Sequence, residues 1–270
     1  LLPRLPALGL LLLLGACAGN DRPTPAPAVV AASPATAAPV PKLRVGIALG
    51  GGAAKGFAHI GVIKMLEANG IQPVVVSGTS AGSVVGALYA SGMDAFQMQQ
   101  HAVALDEASI RDVRLFSGGL VQGQKLQDYV NEKVGQRPIQ KLKRPFAAVA
   151  TQLATGERTV FVHGNTGQAV RASSSVPGVF EPVRWGDMLL VDGGVTDRVP
   201  VDLVKDMGAE YVIAVDVNYR GWERKMPTNV IETLFQAFET IDWCSVQHIK
   251  LESDVLIVPD VTKIDFASLT

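Results

Sequence analysis

The sequence predicts an α/β fold, with a mainly parallel central sheet flanked by helices. Three observations carry that expectation. Short apolar runs alternate with stretches of helical periodicity from Leu43 onward, the runs lack strict alternation, and glycine-rich turns follow the first two of them. A strand whose two faces both meet helices buries every side chain, so it reads as a continuous apolar run. Strands and helices in succession favour parallel pairing, because the helix returns the chain to the start of the next strand.

Leu43–Leu49 is the first such strand. Past the glycines, Ala54–Asn69 places Phe57, Ile60, Ile63 and Leu66 at helical spacing and stops at Gly70, a residue suited to helix C-termini. Val74–Ser77 is a second short strand, with a helix after it up to Ser91-Gly92. Asp94–Leu105 and Gln124–Val134 read as helices, and Phe146–Gln152 with Arg158–His163 as a hairpin turning at Thr155-Gly156. Met188–Val191 and Tyr211–Val217 are strands around the helix Val201–Met207. Val230–Ile249 is a longer amphipathic helix whose Ile231, Leu234, Phe235, Phe238 and Ile241 face the core. Asp254–Val258 is a last strand before Pro259, and Ile264–Thr270 reads as the start of a truncated helix.

The 270 residues suit one domain of ordinary size, and 48% hydrophobic content excludes disorder throughout. The 24 Lys+Arg are matched by 25 Asp+Glu, which speaks against a nucleic-acid binder and against electrostatic recruitment to a membrane. Two cysteines make no disulfide framework. The chain opens at Leu1 rather than Met, so an incomplete N-terminus is expected. Arg4 precedes an apolar run, Ala7–Leu14, which is too short to span a bilayer and reads as the core of a secretory signal over residues 1–17. Ala16-Cys17-Ala18 fits ordinary signal cleavage, while Leu14-Gly15-Ala16-Cys17 resembles the lipobox of bacterial lipoproteins, whose cysteine carries the lipid. Residues 18–42 are mostly Ala and Pro and read as an extended tether, leaving 43–270 as the folded domain. The expected location is the bacterial cell envelope, as a membrane-anchored lipoprotein on the periplasmic or outer-membrane side; a soluble secreted or periplasmic protein is the alternative.

Three motifs carry chemistry. Gly78-Thr79-Ser80-Ala81-Gly82 follows a strand and opens a helix, the setting in which G-x-S-x-G exposes a serine hydroxyl on a sharp turn. Gly50-Gly51-Gly52-Ala53-Ala54-Lys55-Gly56 also joins a strand to a helix, and consecutive glycines there let backbone N–H groups converge on an anion. A dinucleotide site would need G-x-G-x-x-G and an acidic end to the second strand, where this chain has Ser77-Gly78; a phosphate loop would need Gly-Lys-Ser/Thr. An oxyanion hole needs only convergent donors beside a nucleophile. Asp192-Gly193-Gly194 ends a strand with a carboxylate, although Asp favours such turns for local reasons too.

Together these motifs, with His59-Ile60-Gly61-Val62 and the stretch Ala172–Phe180, resemble the patatin-like phospholipase family, most of all its bacterial single-domain members. The resemblance covers most of residues 43–217. In one departure, the last glycine of the G-x-G-x-x-G signature falls one residue late, at Gly56. The resemblance implies a three-layer hydrolase fold and a Ser-Asp dyad needing neither cofactor nor metal. Ser80 attacks an ester carbonyl, and Asp192 takes the serine proton and returns it to the leaving alcohol. Backbone N–H groups among Gly50, Gly51, Gly52 and Ala81 hold the oxyanion, with Gly78, Gly82, Gly193 and Gly194 shaping the turns and Lys55 supporting the glycine loop. The substrate implied is a phospholipid or lysophospholipid. A general carboxylesterase or thioesterase, and a catalytically idle envelope-binding protein, are the alternatives. A Ser…Asp…His triad through His248 also fits the chain order, but His248 falls inside the long helix; His59, His101 and His163 read as packed or solvated.

Overall fold

A computed structural model describes residues 43–105, 121–218 and 252–262, together with positions 226, 233, 236–237, 249 and 264. The larger compact unit spans Lys42–Thr270. Cys17 and the expected leader and tether lie outside the described residues, as do His248, most of the helix expected over Val230–Ile249, and the residues after Ile264.

In chain order the elements are β1 (Val45–Leu49), α1 (Ala58–Ala68), β2 (Val75–Thr79), α2 (Ala81–Ala90), α3 (Ala95–Val103), α4 (Gln124–Lys133), β3 (Phe146–Gln152), β4 (Arg158–Phe161), α5 (Thr166–Ser173), β5 (Val183–Trp185), β6 (Met188–Asp192), α6 (Val201–Asp206), β7 (Tyr211–Val215) and β8 (Val255–Ile257). Strands β8, β7, β1, β2 and β3 lie side by side and parallel. Beyond them the sheet turns mixed: β4 and β6 both pair antiparallel with β3, and β5 with β6. The short β3–β4 connection forces that switch, since a tight turn joins only antiparallel neighbours.

Both faces of the sheet are covered, as the continuous apolar runs require. Ile47, Leu49, Val76, Ile213 and Val215 point into a core shared with α1 to α5. Their neighbours Ala48, Val75, Val212 and Ala214 point the other way, against Val201 and Val204 of α6 and Ile249. The result is a three-layer α/β arrangement. Local signals agree with it. Asp94 caps α3 reciprocally with Gln97, its carboxylate accepting the Gln97 N–H at 2.8 Å while its own N–H reaches the Gln97 amide oxygen at 3.1 Å. Two elements escape the sequence reading: α5, capped by Asn165 accepting from the Gln168 N–H at 2.7 Å, and the three-residue strand β5. Both are short enough that periodicity carries no signal.

The register of β3 sets up the site. Residues 148–149 of β3 pair with β2 on one side and β4 on the other, while residues 150–151 pair with β4 and β6. Strands β2 and β6 therefore occupy the same edge of β3 and run toward each other. They meet where Thr79 lies opposite Val149 and Asp192 opposite Ala150, on consecutive residues of β3. The C-terminal ends of β2 and β6 converge there, and the end of β1 lies beside that of β2, with Leu49 opposite Gly78.

Candidate active site

Ser80 follows β2 and caps α2 with φ +54° and ψ −126°, a backbone conformation that costs a non-glycine residue of order 1–3 kcal/mol. The surroundings over-determine it. Ser80's carbonyl accepts the N–H of Ser83 at 2.8 Å and of Val84 at 3.2 Å, and the Ser83 hydroxyl at 2.7 Å. Its own N–H donates to the buried hydroxyl of Ser173 at 2.9 Å. The flanking glycines are dictated by space: a Cβ on Gly82 would run into the carbonyls of Leu49 and Gly50, and one on Gly78 into the Gly82 backbone. The strand runs two residues further than its apolar run suggests, through Gly78 and Thr79, so no loop separates Ser80 from the sheet.

Asp192 ends β6 at 6% exposure, close to the 7% of Ser80. One carboxylate oxygen accepts the Gly194 N–H at 2.7 Å, which orients the side chain across the turn. The backbone is pinned on both sides: its N–H donates to the Ser175 carbonyl at 2.9 Å, and its carbonyl accepts the Thr151 hydroxyl at 3.0 Å. Gly193 packs so tightly over Val149 and Thr79 that a side chain there would strike the Val149 carbonyl. The bond to Gly194 is one that any Asp turn makes; the burial and the main-chain bonds to Ser175 and Thr151 are what a solvated turn lacks.

The glycine loop lies at the end of β1. A Cβ on Gly51 would sit 3.3 Å from the Ser80 Cβ, which places this loop directly against Ser80. The N–H of Gly50 donates to the Val215 carbonyl at 2.9 Å, extending the β1–β7 ladder, and that of Gly51 donates to the Arg198 carbonyl at 3.2 Å. Among the described residues neither Gly52 nor Ala81 spends its N–H on a backbone carbonyl. Ala53 at φ +49° forms a second strained position in the loop. Lys55 is half-buried on the 3-10 turn Ala53–Phe57 and does not line the cavity described below.

His59 is fully buried in α1, and its Nε2 lies 2.7 Å from the Gly50 carbonyl. Burial holds the imidazole down at about 4, the bond to Gly50 opposing that shift. The ring is therefore neutral at pH 7, and because a carbonyl only accepts, Nε2 carries the proton. His59 is a strut of the glycine loop, a role that its place in the sequence, which suggests only a packed or solvated histidine, does not assign.

Ser80 opens onto a cavity of about 180 Å³ with an almost wholly apolar lining. Val84 and Leu88 continue the face of α2 that begins at Ser80, and Met98 of α3, Leu126 of α4 and Phe180 supply facing walls. At 1.5 Å per residue the stripe from Ser80 to Leu88 runs for about 12 Å. Besides Ser80, the lining includes the hydroxyl-bearing Ser174 and Tyr129; the Ser174 hydroxyl is buried and makes no hydrogen bond among the described residues. The described residues hold no cluster of three or more His, Cys, Asp or Glu fit for a metal ion, and no helix long and apolar enough to cross a membrane.

Fold and site define a class: a three-layer α/β protein with a strained serine at a strand–helix elbow, an aspartate on the converging strand and a glycine loop against the serine. The chain belongs to the patatin-like phospholipase family, whose model matches residues 47–205, more than half of its length. An uncharacterized NTE family protein of Mycobacterium tuberculosis is 38% identical over 179 residues, 65% of this chain and 49% of that protein. The lysophospholipase NTE1 of Debaryomyces hansenii is 30% identical over 196 residues, 70% of this chain and 13% of that protein. The match thus spans about half the length of that mycobacterial relative. Among solved structures, VipD of Legionella pneumophila aligns with 77% of this chain and 55% of its own at 15% identity, with a TM-score of 0.42.

Proposed function

We propose that the chain hydrolyses acyl esters of lipids, phospholipid or lysophospholipid, through a dyad of Ser80 and Asp192. The observation that carries this reading is a serine held at positive φ against a glycine loop, opening onto a cavity with an almost wholly apolar lining. Family membership supports it, as does the lysophospholipase name of one relative.

In the first half-reaction the Ser80 hydroxyl attacks the ester carbonyl and its proton passes to the Asp192 carboxylate. The developing oxyanion is held by the N–H groups of Gly52 and Ala81, while Gly51, its N–H taken by the Arg198 carbonyl, packs against Ser80. The N-terminal end of α2 adds its partial positive charge at the same point. Collapse of the intermediate returns the proton from Asp192 to the leaving alcohol. Water then attacks the acyl-enzyme with Asp192 again as base, releasing the acid and restoring the serine. A carboxylate is a weak base for an alcohol, and burial of both groups helps by keeping their interaction unscreened.

A second reading, a general carboxylesterase or thioesterase, draws on the same cavity, because apolar walls select an acyl chain and not the group it is esterified to. A fluorophosphonate should label the purified protein at Ser80, with Ser80→Ala abolishing labelling; an unlabelled wild type would remove the enzyme reading and favour an idle binding protein. A panel of phospholipids, lysophospholipids, simple esters and thioesters then separates lipid hydrolysis from the general reading.

Residence at a bacterial envelope membrane, through a lipid on Cys17, completes the proposal. The several acyl chains added in lipoprotein processing would anchor firmly where one chain binds weakly. The N-terminal mass of membrane-isolated protein tests it: a diacylglyceryl cysteine supports the anchor, and an unmodified terminus after Ala16 or Ala18 overturns it.

A further inference from the structure

The serine run Ser173-Ser174-Ser175 touches both proposed catalytic residues, and nothing in the dyad chemistry accounts for it. Ser173 is the last residue of α5 and is fully buried. Its hydroxyl accepts the Ser80 N–H at 2.9 Å across 93 residues of sequence. Two residues on, the Ser175 carbonyl accepts the Asp192 N–H at 2.9 Å. The Ser175 hydroxyl turns back to the Arg171 carbonyl at 2.8 Å, and the Ser174 N–H bonds the Val170 and Arg171 carbonyls at 3.0 and 3.1 Å, so the segment is fastened to the end of α5.

We propose that Ser173 is a positioning residue. Its hydroxyl holds Ser80 in the strained backbone conformation, and the segment it belongs to sets the position of Ser80 relative to Asp192. The proposal rests on the dyad reading. Its physical basis is the cost of the φ +54° conformation, which persists only where neighbours fix it. The bonds to the Ser80 carbonyl come from α2 itself and leave the strand side of the peptide unheld. Ser173 supplies the hold from outside the strand and helix that form the elbow. Since the same three-residue segment also grips Asp192 by its main chain, a change at one end of it is felt at the other. A fully buried hydroxyl is costly unless it makes such a bond.

The test is steady-state kinetics of Ser173→Ala on a short-chain ester, with the full chain and a melting curve for each variant. Ser173→Ala should lower kcat by about tenfold to a hundredfold, the size expected when a reacting group is misplaced by a fraction of an ångström to an ångström. KM should stay within about twofold, and the rate of fluorophosphonate labelling should fall in step with kcat. Ser173→Cys, close in size but a poor acceptor, should reproduce the loss; Ser173→Thr, which keeps the hydroxyl, should recover most of it. Wild-type kcat in Ser173→Ala, or a raised KM with unchanged kcat, overturns the proposal. So does a loss of activity that tracks the melting temperature through all three variants and ignores the hydroxyl. Ser80→Ala run in parallel separates the two readings: persistent labelling there overturns the dyad, whereas its loss with an unaffected Ser173→Ala overturns only the positioning role.

Discussion

At the residue scale, the site is built from groups held where they would not rest by themselves. Ser80 and Ala53 both sit at positive φ, and Ser80 is held there by bonds from α2 and, across 93 residues, from Ser173. His59 shows how far this reaches into the protein's pH response. Its imidazole is held at about 4 in the folded chain against 6.5 unfolded. Between those values the unfolded chain binds the proton and the folded chain does not. The stability this group allows is therefore fully present above pH 6.5 and lost as pH falls toward 4, by about 3 kcal/mol in total. Asp197, raised by burial more than its bond to Arg158 lowers it, works in the opposite direction, so the effect is best read as a difference. His59→Gln retains a donor for the Gly50 carbonyl and cannot titrate. Urea unfolding of both proteins at pH 7 and pH 4.5 should show wild type losing more stability on acidification than His59→Gln; equal losses would show that His59 does not titrate with folding.

At the element scale, α2 does two things at once. Its first turn presents Ser80 and the N–H of Ala81, and its flank carries Val84 and Leu88 along the cavity. A chain laid on that stripe has about 12 Å before it reaches Leu88. Val84→Trp, one turn beyond the nucleophile, should therefore stop long acyl chains while sparing an acetyl ester. Rates on a series of nitrophenyl esters from two to sixteen carbons should fall steeply above short chains in the variant, by about tenfold or more at the long end. A uniform drop at every length would mean that the chain lies elsewhere. Strands β2 and β6 divide the work in the same way: each ends at a proposed catalytic residue, and β3 provides the ruler that brings the two ends together.

At the scale of the whole molecule, the layered fold places the ends of β1, β2 and β6 in one cleft, with most helices packed on the face that also holds the cavity. Much of this was legible beforehand. The apolar run at Leu43–Leu49 and the glycines after it could belong to little else than a buried strand and a strand–helix turn, and G-x-S-x-G at the next turn named the serine. The mixed end of the sheet was not legible, because a four-residue strand such as β4 and a three-residue strand such as β5 carry no direction in their composition. The same holds for the division of labour among the glycines. Gly50 and Gly52 look alike in sequence, yet the ladder with β7 claims the N–H of Gly50 and leaves that of Gly52 for other use.

By itself the sequence determined the fold class, the order of the elements apart from α5 and β5, and the motifs that single out Ser80, Asp192 and the glycine loop. Those follow from local patterns: apolar periodicity, turn chemistry and the spacing of short motifs. Only the tertiary structure set the ends of β2 and β6, at Thr79 and Asp192, opposite consecutive residues of β3, a neighbourhood that nothing near them in the chain encodes. It alone showed His59 on the Gly50 carbonyl and Ser173 on the Ser80 amide. The physical reason is common to all three. Each joins groups carried by different elements, and such pairings leave no periodic trace in the sequence.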